Sequence, residues 1–223
     1  MISFQPSPTS VTARPRTVVL LIRHGATDAM YTGLAGRRAG VALNALGQEQ
    51  AGRVAAVLAA LPLAAIYSSP LVRARATAAP LAATAGLSVR VHRELTEVDF
   101  GEWTGLTFDR LAVRPDWQTY NTSRSSADVP GGERPAAASA RISRALATLH
   151  GRHPGETIAV FTHAELVRYA ILRARGLPLD RWADIDVPPA SITVLECCAW
   201  HVREFYRSES GVAPSREQLS DIS

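Results

Sequence analysis

Short β-branched runs alternate along this chain with longer alanine-rich segments of helical period, and that alternation leaves few folds open. Residues 17–22 (TVVLLI) read as a first strand. Residues 46–61 place Ala51, Val54, Ala55, Leu58 and Leu61 on one helical stripe, and Pro62 stops it. A second strand follows at 65–68. The next helix, 69–86, takes Ser69 as its cap, Pro70 in its first turn and Gly86 at its end, with Pro80 an interruption in the middle. A third strand spans 88–91, a long helix 133–150 after the turn signal PGGE, a fourth strand 157–161 and a helix 164–175. Residues 190–197 and 199–206 read as two late strands, a hairpin at the sheet edge. The pattern predicts an α/β fold with a mostly parallel central sheet, in one domain over 17–207. Residues 1–16 form a loose leader and 208–223 a polar tail. Residues 101–129 show no clear period, and set Trp103, Phe108, Trp117 and Tyr120 among polar neighbours, the composition of a lid over a site.

Composition narrows the function classes. The 223 residues are 47% apolar with a net charge of +4, and all 24 basic residues are arginine. That bias fits a GC-rich coding sequence first and anion handling second, since guanidinium binds carboxylate and phosphate bidentately. The arginines are interspersed with 20 acidic residues, which argues against a nucleic-acid partner. Cys197 and Cys198 are adjacent and make poor disulfide partners, so no disulfide framework is expected and a reducing compartment suits the chain. They pack as small hydrophobes on a late strand. Residues 1–16 lack an apolar signal segment, and the longest apolar run, 54–67, is broken by Pro62 and shorter than the roughly 20 residues of a membrane span. The expectation is a cytoplasmic protein with no membrane partner.

Chemistry-bearing residues fall at equivalent places in this pattern. Arg23 and His24 follow the first strand, Arg73 lies in the first turn of the helix after the second, and His163 joins the fourth strand to its helix. In open parallel sheets the carboxyl ends of the strands form the ligand crevice, so these four side chains converge there. Helix N-termini add backbone N–H groups that favour a phosphate-like anion. Arginines in the same pocket repel a divalent cation, so no metal is expected. His150 and His153, spaced i and i+3 before Pro154, read as capping a helix end.

The stretches LIRHGATD, SSPLVRARATA, ELTEVDFGEWTG, PGGE and VFTHAELVR occur in an order and spacing that resemble the histidine phosphatase superfamily, whose members include the cofactor-dependent phosphoglycerate mutases. The resemblance implies a three-layer α/β/α sandwich and an enzyme without metal or other cofactor. It implies that His24 is the nucleophile that takes the phosphoryl group, that Arg23, Arg73 and His163 hold the phosphate oxygens, and that Glu97 donates a proton to the leaving group. Phosphoryl transfer suits such a set, because catalysis there is mostly in-line positioning and fixed positive charge. A carboxyl beside a phosphate dianion keeps its proton more readily, as an acid requires. Asp99 and Glu102 are the alternative carboxylates.

The sequence also departs from the family pattern. Ala26 and Met30 stand where many members have a glutamate and a phosphate-contacting asparagine, leaving Thr27 as a hydroxyl donor. Ala164 replaces the usual glycine after the second histidine and keeps its backbone N–H at the phosphate. The interval from Glu97 to His163 is shorter than in the mutases, and a smaller lid admits water. The expected function is therefore hydrolysis of a small phosphorylated metabolite through a phosphohistidine. The alternatives are mutase-type transfer and a non-catalytic phospho-ligand domain. Arg37, Arg38, Arg110, Arg114 and Arg124 either meet a further negative group on the substrate or are solvated surface. The aromatic lid or an edge strand is where a homodimer contact would form.

Overall fold

The computed structural model describes residues 15–198 and 201–207. The rest of the expected leader and the tail from Ser208 lie outside the described residues. Six strands form one sheet: β1 (Thr17–Arg23), β2 (Leu63–Ser68), β3 (Val89–Val91), β4 (Thr157–Thr162), β5 (Ile192–Cys198) and β6 (His201–Arg207). Their order is β3-β2-β4-β1-β5-β6. The first four in that order run parallel, and β5 and β6 add antiparallel strands at the far side, the expected late hairpin. Among the described residues, no helix is long and apolar enough to cross a membrane.

The helices are α1 (Ala29–Thr32), α2 (Ala45–Leu58), α3 (Val72–Ala85), α4 (Phe108–Ala112), α5 (Pro115–Thr122), α6 (Pro135–Arg152) and α7 (Ala164–Ala174). Alternation along β1 shows how they make two layers. Leu20 and Ile22 point to one face of the sheet and pack with Val54 and Leu58 of α2 and Leu81 of α3. Val19 and Leu21 point to the other, into a core with Ile142 and Leu146 of α6 and Leu166 of α7. Both faces are therefore covered, as parallel strands require, and the α/β/α sandwich is the fold.

Several boundaries move for identifiable reasons. α2 is capped by Asn44, whose side chain accepts the Gly47 N–H at 2.9 Å. Ser69 and Pro70 are not part of α3, contrary to the sequence expectation. The Ser69 N–H is committed to the Phe161 carbonyl and Leu71 stays extended, so the helix begins at Val72. It then runs through Pro80 and ends on Gly86 in the left-handed region, φ 65°. α6 starts at Pro135 because the Glu133 N–H and carboxylate are already engaged, by Asp99 and by Arg37 and Arg141. The segment 101–129 is better ordered than its sequence suggests. Trp103 and Tyr120 are buried, and Trp117 stacks on Tyr120 at 5.6 Å. Trp103 and Tyr120 join the core on the α6 and α7 side of the sheet, Trp117 packs against it, and Phe108 is exposed. His150 bonds Thr17, and His153 ends α6 while bonding Tyr67 and Glu156. Cys197 is buried, as a small hydrophobe would be.

Candidate active site

Register in the sheet centre brings the two histidines together. Arg23 of β1 pairs with Thr162 of β4, and the His24 N–H bonds the Thr162 carbonyl at 3.0 Å. His24 and His163 thus leave adjacent parallel strands at the same level, with ring centroids 5.2 Å apart and edge to face. Ser68 of β2 pairs with Phe161 on the other side of β4, which delivers the start of α3 and Arg73 to the same end. The turn after His24 is held where only glycine fits: a Cβ on Gly25 would lie 2.6 Å from the Gly47 carbonyl oxygen. The Gly25 N–H is bound by Thr77 of α3, at 3.0 Å.

The bonds to His24 assign its tautomer. Nδ1 lies 2.7 Å from the Gly25 carbonyl oxygen, which can only accept, so Nδ1 carries the hydrogen. Nε2 is then a bare lone pair, and the Arg73 Nε–H donates to it at 3.1 Å. Burial, followed by the Arg73 and Arg23 charges, holds the imidazole pKa well below its ordinary value. Arg73 is itself buried and bonds the Gly36 carbonyl at 2.7 Å. Arg23 donates to the Val187 carbonyl, and its Nε is buried without a partner among the described residues. Burial and the nearby Arg168 lower its pKa to about 10, which still leaves it charged near neutrality.

Glu97 reaches the site from a loop without regular structure. Thr162 Oγ1 bonds the Leu95 carbonyl, Arg141 bonds those of Glu94 and Thr96, and Arg37 Nε bonds that of Glu97 at 2.8 Å. Glu133 bridges the two guanidiniums. Burial first, then the Glu165 carboxylate, raises the Glu97 pKa to about 7 against the pull of Arg73 and Arg23. Asp99 and Glu102 do not line the cavity. The second carboxylate that does is Glu165.

The cavity above these groups measures about 360 Å³ and is also lined by Thr27, Met30 and Ala164. Ala26 is buried, its N–H bound by Gln50 at 2.8 Å. His163 is fully buried and is not among the residues that line the cavity, but its ring stands beside that of His24. Of the five arginines weighed as flanking groups, Arg124 alone lines this cavity. Arg37 braces the Glu97 loop and Arg114 pairs with Asp116. Arg124 is buried between the Tyr120 and Trp182 rings, 4.1 and 3.8 Å from their centroids, and ion-pairs with Glu165. Arg168 binds the other Glu165 oxygen at 2.6 Å. Sequence reasoning missed Glu165, Arg168 and Trp182. The signal available was helical period: Glu165 and Arg168 follow His163 by two and five positions, on the turn that faces the site.

The profile of the histidine phosphatase superfamily, branch 1, matches residues 19–204. A bifunctional protein of Mycobacterium tuberculosis is 34% identical over 186 residues, covering 81% of this chain, which spans only about half (50%) of that protein's length. Phosphoglycerate mutase-like protein 4 of Arabidopsis thaliana is 34% identical over 162 residues, 70% of each chain. Among solved structures, mycobacterial glucosyl-3-phosphoglycerate phosphatase superposes with a TM-score of 0.74 at 27% identity, over 86% of this chain and 97% of that one. The family profile takes in His24, His163, Arg23, Arg73 and Glu97, and the chain belongs to the histidine phosphatase superfamily.

Proposed function

We propose that this protein is a cytoplasmic phosphomonoesterase that hydrolyses a small phosphorylated metabolite through a phosphohistidine on His24. The observation that carries the reading is the pairing of opposite proton states in one cavity. His24 offers a neutral, unprotonated Nε2, and Glu97 keeps its proton up to about pH 7. In the first step Nε2 attacks phosphorus, the ester P–O bond breaks and Glu97 gives its proton to the departing oxygen. In the second, water attacks the phosphohistidine, its proton returns to the Glu97 carboxylate, and His24 and inorganic phosphate are released. Arg23 and Arg73 supply fixed positive charge to the transferring oxygens, with the unpartnered Arg23 Nε a ready donor. Thr27 and the Ala164 N–H at the start of α7 complete the phosphate cradle. Arg168, Trp117 and Trp182 meet the organic half of the ester. No step calls for a metal ion or other cofactor, the partner is the small phosphorylated substrate and neither nucleic acid nor membrane, and a homodimer contact would form at the aromatic segment or an edge strand. The cytoplasmic part of the reading rests on two adjacent cysteines, which suit a reducing compartment.

The test is a single turnover with labelled phosphoester. Acid-labile phosphate trapped on the wild type and absent from His24→Ala supports the reading; wild-type turnover by His24→Ala refutes it. Following inorganic phosphate beside product mass with 3-phosphoglycerate and sugar phosphates separates hydrolysis from mutase-type transfer. Release of no phosphate and formation of no isomer would leave a binding domain.

A further inference from the structure

Ser69 is fully buried directly after β2, and its hydroxyl bridges the turn into α3 and His163. Its backbone N–H is bonded to the Phe161 carbonyl at 2.9 Å, which fixes the serine beside the end of β4. Its Oγ accepts the Leu71 N–H at 3.2 Å, where the chain turns into α3 and Arg73, and lies 2.7 Å from His163 Nε2. His163 Nδ1 is buried with no partner among the described residues.

A neutral imidazole carries one hydrogen, and these contacts decide which nitrogen has it. Burial and the charge of Arg73 keep the ring neutral. With the hydrogen on Nε2, Ser69 Oγ would accept two N–H groups and its own hydrogen would have no acceptor among the described residues. Nδ1 would then be a buried lone pair next to an anion site. With the hydrogen on Nδ1, the chain Leu71 N–H to Ser69 Oγ–H to His163 Nε2 is complete. The remaining group is an Nδ1–H donor left for a ligand, on a ring whose centroid lies 5.2 Å from that of His24.

We propose that Ser69 is a positioning residue that holds His163 in the tautomer with its hydrogen on Nδ1, so that the ring presents a donor to the phosphoryl group. The proposal rests on the phosphoryl-transfer reading above, yet its test does not depend on turnover. Proton–nitrogen correlation spectra of ¹⁵N-histidine-labelled protein, with and without inorganic phosphate, report which ring nitrogen of His163 is protonated. The expected result is hydrogen on Nδ1 in the wild type, with the Nδ1–H signal moving on phosphate binding. In Ser69→Ala that preference is lost and kcat falls by at least about tenfold, the scale of one misdirected hydrogen bond to a charged group. Hydrogen on Nε2 in the wild type overturns the proposal even if Ser69→Ala does not fold. A folded Ser69→Ala that keeps both the Nδ1–H tautomer and wild-type kcat also overturns it. A wild-type protein without phosphatase activity would refute the earlier reading and leave the tautomer measurement to stand alone.

Discussion

The proposed acid, Glu97, sits among arginines, and burial with the Glu165 carboxylate is what raises its pKa there. Glu97→Gln keeps the shape and removes the acid, so hydrolysis of an alkyl phosphate, whose alkoxide needs a proton, falls by roughly 10²–10⁴-fold. p-Nitrophenyl phosphate, whose leaving group departs unaided, falls far less; equal losses on both substrates would refute the acid role. In the wild type kcat/KM declines as pH rises through about 7, where Glu97 ionises. Glu165→Gln takes away one cause of the raised pKa, so that alkaline limb moves to lower pH. A pH–rate series on both proteins checks it. His24, Arg23, Arg73 and His163 were legible because all four fall where strands of a parallel sheet end and helices begin, so that they converge on one crevice. Glu165 was not, since an acidic residue in a first helical turn is what the helix dipole favours anyway. Nor was Arg168, which reads as a surface position one turn further on.

At the scale of elements, the site depends on how closely α2 approaches the turn after β1. A Cβ on Gly47 would lie 2.1 Å from the Ala26 oxygen and 2.9 Å from its nitrogen. Alanine is the better helix former by about 1 kcal/mol, but the colliding atoms are backbone and cannot swing aside. Gly47→Ala therefore drives α2 and the 24–27 turn apart, with a net loss of about 1–3 kcal/mol and a lower kcat. Urea unfolding together with steady-state kinetics measures both, and unchanged stability would show that the turn yields freely. This contact could not be read from the chain, because Gly47 looks like an ordinary weak spot in a helix. The strands and the apolar stripe of α2 were legible because their periods are local. The start of α3 was misplaced because the bond from Ser69 to Phe161 is long-range, and no local propensity encodes it.

For the molecule as a whole, the site costs stability in opposite directions of pH. Folded Glu97 binds its proton up to about pH 7, against 4.5 for a free carboxyl. Over that window the folded state holds more protons, so stability falls as pH rises, by ~3 kcal/mol at 1.36 kcal/mol per pKa unit. His24 and His163 stay neutral well below 6.5 and take up protons on unfolding, so their contribution is lost as pH falls. Glu97→Gln removes the first slope, and its melting temperature at pH 8 should exceed that of the wild type; a lower value would contradict the buried-acid account. The strand order carries a further consequence, for synthesis and folding. β1 and β2 are successive strands, yet β4 lies between them, and more than half of the chain separates His24 from His163. A nascent chain that has emitted β1, β2 and β3 holds a slot one strand wide, about 10 Å from β1 to β2 at the usual spacing, with two unpaired apolar edges facing it. Until residues 157–162 arrive, those edges can close on each other or on another chain. A truncation at Gly155 should therefore aggregate, and the last strand to enter the parallel sheet is the one that brings the second histidine.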